Sequence, residues 1–128
     1  MHPTQAKKLL QTLWILSISS VVVGSLSPGD SLPMRVLDHL HINDKYEHLL
    51  AYAVLAFLPA IHEKRAFIVA AAVGAVALGV ALEFGQIFSG WREFEIADMI
   101  ADTVGVGVGL GSGIKMRSMD VLRSAFQI

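Results

Sequence analysis

Four long apolar runs, Leu9 to Leu26, Lys45 to Ile61, Ala66 to Phe88 and Ile96 to Ile114, alternate with short polar breaks along the chain. Each approaches or reaches the roughly 20 residues that a helix needs to cross the hydrocarbon of a bilayer. The breaks are Pro28 to Asp44, the tight turn His62 to Arg65, and Ser89 to Glu95. The pattern predicts an all-α, single-domain integral membrane bundle of four transmembrane helices, joined as two hairpins. Beyond the last run, Met116, Met119, Leu122 and Phe126 recur at helical spacing while Arg117 and Arg123 fall elsewhere, which predicts an amphipathic interfacial helix over Lys115 to Ile128. The first run follows Lys7 and Lys8 and ends near Val23 and Ser25, so it also fits a cleavable signal peptide; its length favours an uncleaved anchor.

The basic residues orient the bundle. Lys7, Lys8, Lys64, Arg65, Lys115, Arg117 and Arg123 would share one side, against Arg35, Lys45 and Arg92 on the other, which predicts both termini in the cytoplasm. That topology makes the outer rim acidic, with Asp30, Asp38, Asp44, Glu47, Glu93 and Glu95 in or near the outer loops. Glu63 and Asp120 fall inside.

Composition narrows the chemistry. Over 128 residues, 54% are hydrophobic and 16% charged, too apolar for an ordinary soluble domain. Cysteine is absent, which excludes disulfides, thiolate nucleophiles and Cys-ligated metal centres, so any metal would be held by His, Asp or Glu. The formal net charge of −1 and the absence of a basic face exclude nucleic acid as a natural partner. The lipid bilayer is the expected surrounding.

Against that background the ionisable residues inside the runs stand out, because a charge at the centre of a spanning helix costs roughly 2.5 to 3.5 kcal/mol on insertion scales. Asp44, His48 and Tyr52 recur every four residues and Lys45 precedes His48 by three, so a helix presents all four on one face. Glu83 and Gln86 are three apart in the third run, on a stripe that continues through Gly79, Ala75 and Ala71. Asp98 and Asp102 are four apart in the fourth, on a stripe that continues through Gly105 and Gly109; Gly107 with Gly111 and Gly109 with Gly113 form further GxxxG pairs. The hairpin topology brings these polar residues to one outer depth, beside Trp91 and Arg92.

Such a cluster suits proton transfer, metal ligation or recognition of an anionic headgroup. His48, Glu83 and Asp102 are the candidate catalytic residues, Lys45, Tyr52, Gln86 and Arg92 the candidate substrate-binding residues, and Asp44 and Asp98 the candidate ligands of a divalent metal. Structural roles compete with each. Asp44 and Asp98 begin helices, where a carboxylate caps free amides; Lys45 is placed to snorkel; Glu83 and Asp102 are placed to pair with Arg92 or Lys45; Tyr52 and the glycines suit packing. The loop histidines His39 and His41 form only a weak metal pattern, and His2 and His62 have no evident partners on the cytoplasmic side.

The run Asp44-Lys45-Tyr46-Glu47-His48-Leu49-Leu50-Ala51-Tyr52 resembles the DK-x-x-H-x-x-x-Y signature of the VanZ-like membrane proteins. Glu83-Phe84-Gly85-Gln86 is similar to that family's E-x-x-Q, Arg92 to its loop arginine, and Asp98 with Gly105 and Gly109 to its D-x-x-x-N-x-x-G region. The resemblance covers Asp44 to about Gly113. Asp102 stands where the family usually carries Asn, which adds a carboxylate and favours a shared proton, a bound cation or pairing with Arg92.

The resemblance implies a multi-pass protein of the bacterial cytoplasmic membrane. It further implies work at the outer face on an envelope component or lipid-linked precursor, with a link to glycopeptide (teicoplanin) resistance through the family's namesake. Two other readings stay open. One is an intramembrane hydrolase or transferase using His48, Glu83 and the aspartates, with or without a metal; the other is a small transporter, disfavoured by the apolar inner halves of the helices. The glycine stripes suit contacts within the bundle or a homo-oligomer.

Overall fold

The protein, a computed structural model, is described over residues 2–26, 44–89 and 96–119. These residues form four helices with no strand among them: α1 (Pro3–Leu26), α2 (Asp44–Ala60), α3 (Arg65–Ser89) and α4 (Ile96–Arg117). Each apolar run has become one helix. The ends of α1 and α4 reach further than the hydropathy pattern, for reasons that lie in polar chemistry.

At the start of α1 the His2 backbone N–H donates to Gln5 Oε1 at 3.1 Å and the Thr4 N–H donates to His2 Nδ1 at 3.2 Å, with Pro3 between them. This reciprocal cap satisfies two amides that a helix start leaves open, and proline is suited to the first helical position. The helix therefore begins six residues before the apolar run. At the other end, α4 absorbs Lys115, Met116 and Arg117, which were expected in an interfacial tail; residues 120–128 of that tail lie outside the described set.

By length and composition α1 and α3 are apolar enough to cross a membrane, with window hydropathies of 1.8 and 2.3. The distribution of side chains over the whole bundle agrees with an apolar surrounding. Phe88 is 88% exposed and Val73 64%, whereas Glu83 and Asp102 are each 1% exposed. A water-soluble bundle hides residues of the first kind and displays the second. The hydroxyls of Ser17, Ser19 and Ser20 on exposed faces of α1 donate to the carbonyls of Leu13, Ile15 and Leu16 at 2.8–2.9 Å, so they need no water.

The closest packing joins α2 and α4. These two helices run parallel, and each four-residue step of one is matched by four residues of the other: Gly105 lies on the backbone of Leu49, Gly109 on that of Ala53, and Gly113 on Phe57 and Ala60. A Cβ on Gly109 would overlap the Ala53 carbonyl, and one on Gly113 would come within 2.6 Å of the Ala60 Cβ. Gly107 and Gly111 face outward, with nothing within 4 Å of an added Cβ. Of the GxxxG pairs, the stripe through Gly105, Gly109 and Gly113 thus serves contacts within the bundle. Around this seam Tyr52, Leu55, Ala56, Ala75 and Val106 form the buried core, with Ile18 and Val21 of α1 packed against it.

Pro59 lies inside α2 and has no N–H to give the Leu55 carbonyl one turn earlier. The Trp14 indole N–H supplies the missing bond across the bundle, donating to the Leu55 carbonyl at 2.8 Å, while its ring meets Phe67 edge-on at 5.4 Å. A neighbouring helix thereby satisfies a carbonyl that apolar surroundings could not.

Two predictions follow from these contacts. Gly109→Ala should destabilise the bundle by about 1–3 kcal/mol through overpacking, whereas Gly107→Ala should be neutral or gain up to about 1 kcal/mol from helix propensity; denaturant unfolding in micelles measures both. Trp14→Phe should cost about 1 kcal/mol or more by stranding a buried carbonyl. That loss should shrink when combined with Pro59→Ala, which restores the helical N–H, so the double-mutant cycle should show positive coupling.

Candidate functional site

Because α2 and α4 both begin at the same end of the bundle, their first turns face each other. The site is assembled there, and the last turns of the antiparallel α3 close it from the side. Lys45 and His48 occupy the first two turns of α2, Asp98 and Asp102 the first two of α4, and Glu83 and Gln86 the end of α3.

Lys45 Nζ donates to Asp98 Oδ1 in a short ion pair. His48 lies between the two aspartates, with Nδ1 2.7 Å from Asp102 Oδ1 and Nε2 3.7 Å from Asp98 Oδ2. An ionised Asp102 only accepts hydrogen bonds, which puts the hydrogen on Nδ1 and leaves the Nε2 lone pair facing Asp98. Glu83 completes the group: one donor atom from each of His48, Glu83 and Asp98 lies within 4.8 Å of the others. Glu83, Asp98 and Asp102 are all buried, whereas the Lys45 side chain retains 38% of its exposure and forms the accessible edge.

Tyr52, Gly79 and Gln86 pack around this layer. Tyr52 is buried, its ring parallel to the His48 imidazole with centroids 6.5 Å apart. Gly79 makes room for the layer, since a Cβ there would lie 2.8 Å from Asp102 Oδ2 and 3.3 Å from Tyr52 Cε1. Gln86 donates to the Ser25 carbonyl at 2.9 Å, tying the end of α3 to the end of α1.

The structure gathers Lys45, His48, Glu83, Asp98 and Asp102 into one cluster. Tyr52 and Gln86, expected to bind substrate, are both buried, Tyr52 beside the His48 ring and Gln86 on the Ser25 carbonyl. Asp98 was expected to share a metal with Asp44; its neighbours with donor atoms are His48 and Glu83, and the Asp44 side chain lies outside the described residues, as do Arg92, Trp91, His39 and His41. Lys45, at the right register on α2, is the cation that meets Asp98.

A second polar group at the opposite end was not foreseen. His62, in the turn between α2 and α3, is buried with Nδ1 3.4 Å from Glu63 Oε1. Gln11 of α1 donates to Glu63 Oε1 at 3.1 Å. Arg117 donates to the Glu63 carbonyl and reaches the Ala60 carbonyl, placing a cation at the C-terminus of α2. The signal was present in the basic last turn of α4, but its target only emerges once α4 is extended to Arg117. These contacts bring the start of α1 and the end of α4 to the same end as the turn.

No family model matches the chain, and neither a curated protein nor a solved structure is significantly similar to it.

Burial holds His62 below the usual histidine pKa, with Lys7 and Arg117 acting in the same direction and Glu63 opposing them. The unfolded chain thus takes up this proton at higher pH than the folded one. Stability should fall as pH drops from about 6.5 toward the lower folded value. His62→Asn should flatten that part of the profile, measured as unfolding midpoint against pH in micelles.

Proposed function

We propose that this chain is a VanZ-like, four-span protein of the bacterial cytoplasmic membrane with both termini inside. In this reading it acts at the outer face on an anionic envelope component or lipid-linked precursor. The observation that carries the proposal is the convergence of Lys45, His48, Glu83, Asp98 and Asp102 at one end of three helices that expose many large apolar side chains. Buried charge in an apolar bundle is costly and tends to mark a working site. The resemblance over Asp44 to about Gly113 falls on the same residues.

The parts divide the work. Lys45 and the loop residue Arg92 supply the cations that attract a phosphate or carboxylate group to the rim. His48, held by Asp102, is the candidate base beside that group. The outward apolar faces of α1 and α3 keep the site at the depth of a lipid headgroup. A link to glycopeptide resistance follows from the resemblance and would reflect altered handling of the surface target.

An intramembrane hydrolase or transferase is the second reading, favoured by one observation. A buried carboxylate at 2.7 Å from Nδ1 orients an imidazole as general bases are oriented.

The test is complementation of a deletion strain. His48→Ala and Glu83→Gln, at wild-type membrane abundance, should each reduce complementation of the envelope phenotype, read as teicoplanin susceptibility and lipid-precursor profile, to near the deletion level. Wild-type behaviour of both variants overturns the proposal. Reporter fusions placing the 61–64 turn and both termini on the cytoplasmic side would support the topology, and the opposite placement would overturn it.

A further inference from the structure

We infer that the groove between α1 and α3 beside the 61–64 turn binds an anionic glycerophospholipid, with one acyl chain along the groove and the phosphate on the basic rim at its end. The inference rests on the membrane-embedded part of the reading above and on nothing in the polar cluster at the opposite end.

The sequence sets the shape of the groove. Trp14 and Ile18 form its α1 wall, and the buried Leu55 of α2 closes the floor. Phe67, Ala71, Gly74 and Leu78 line the α3 side at steps of three and four residues, which is a single helix face. The middle of that face is too small to fill the space beside α1, and a Cβ added to Gly74 would meet nothing within 4 Å. The cavity left there measures about 370 Å3. Its walls are apolar, and the Trp14 indole N–H is already engaged by the Leu55 carbonyl, so the groove suits hydrocarbon rather than a polar ligand.

Length and width select the occupant. At 1.5 Å per residue the face from Phe67 to Leu78 is about 17 Å long, close to the roughly 15 Å of hydrocarbon in one leaflet. A cavity of about 370 Å3 spread over that length is narrow. It admits one hydrocarbon chain and excludes a helix from a second copy, which is roughly 10–12 Å across with its side chains.

Charge selects the headgroup. Both lining faces end in cations, since Lys7 lies two turns before Trp14 and Lys64 lies three residues before Phe67. Lys64 is in helical register, because its carbonyl accepts the Ile68 N–H at 2.9 Å. Lys7 is close enough to His62 to oppose protonation of that ring, which places it beside the turn. Lys8 and Arg65 adjoin them. Among the described residues none of these four cations has an ion pair, and the carboxylate at this end, Glu63, is engaged by Gln11 and faces His62. Both α1 and α3 begin here, so the positive ends of two helix dipoles add to the rim. An apolar groove headed by unpaired cations complements a hydrocarbon chain that carries an anionic headgroup.

The experiment uses the full chain carrying Trp91→Phe, so that Trp14 is its single tryptophan. The protein in phosphatidylcholine vesicles is titrated with phosphatidylglycerol brominated on an acyl chain, with phosphatidylcholine brominated in the same way as the control. Quenching of Trp14 should show a preference of at least about tenfold for the anionic lipid at low salt, falling as salt is raised. Lys64→Gln combined with Arg65→Gln should lower that preference at least about fivefold and leave quenching by the zwitterionic lipid unchanged. Gly74→Leu, for which the groove has room, should reduce quenching by both lipids at saturation, with circular dichroism verifying that its helices are retained. Equal quenching by the two brominated lipids in the otherwise wild-type chain overturns the inference, as does quenching that Gly74→Leu leaves unchanged. A dimer in native mass spectrometry whose formation shields Trp14 from both lipids overturns it in favour of a second copy. A chain that alkaline carbonate strips from the vesicles overturns the membrane reading itself. A chain that stays embedded and shows no lipid preference overturns this inference and leaves that reading standing.

Discussion

The contact on which the rest depends is the parallel seam between α2 and α4. Parallel neighbours cannot be joined by a tight turn, and α3 intervenes in the chain to return it to the starting end. What holds the pair together is the absence of side chains at Gly105, Gly109 and Gly113, which lets the α4 backbone rest on the carbonyls of α2. In the proposed membrane bundle, where lipid gives apolar side chains no net gain from leaving it, close van der Waals packing between backbones would be a principal attraction between helices. The same register that seats Gly105 on Leu49 sets Asp102 against His48 one turn earlier and Asp98 against Lys45. Packing and site are therefore one geometric fact: a shift of one residue along the seam would separate the imidazole from its carboxylate.

The polar layer also constrains the seam. Three buried carboxylates repel one another unless cations and donors are interleaved, and the interleaving here alternates between helices: lysine of α2 to the first aspartate of α4, histidine of α2 to the second. Each pair crosses from one helix to the other, so the electrostatics select the same register as the glycines. Removing one partner would leave the other as an uncompensated buried charge, which is why such layers are specific in geometry even where their net stabilisation is small.

Much of this was legible in the sequence. Helix existence was plain because long apolar runs admit few alternatives, and the three-residue spacing of Lys45 with His48 and the four-residue spacing of Asp98 with Asp102 announced that each pair would share a face. What remained hidden were interactions that require two helices to be placed in space. Lys45 and Asp98 are far apart in the chain, and several acidic partners were open to each cation until the register was known. The Trp14 bond to the Leu55 carbonyl follows from Pro59 only when α1 is seen to cross α2 at that level. The early start of α1 was invisible to hydropathy because His2 and Gln5 create it by hydrogen bonding. Gly107 and Gly111 carry the same GxxxG spacing as the buried stripe and lie on the outer face, so spacing alone did not say which stripe was the seam.

The two polar ends of the bundle differ in kind, and the difference bears on what the protein can do. At the turn between α2 and α3, Gln11, Glu63 and Arg117 hydrogen-bond side chains and helix-end carbonyls, the chemistry of closing a helix terminus. At the opposite end Gln86 also reaches a helix-end carbonyl, that of Ser25, but the cluster itself is made by side chains meeting one another, and donor atoms of His48, Glu83 and Asp98 lie within 4.8 Å of one another. Between them lies a core of Leu55, Ala56, Ala75 and Val106, with the Tyr52 ring stacked under His48 as its upper boundary. A relay across the membrane needs polar groups spaced closely enough to pass a proton from one to the next, and that apolar middle interrupts any such series among the described residues. The arrangement favours a centre approached from one face, with its apolar underside raising the strength of every charge interaction above it.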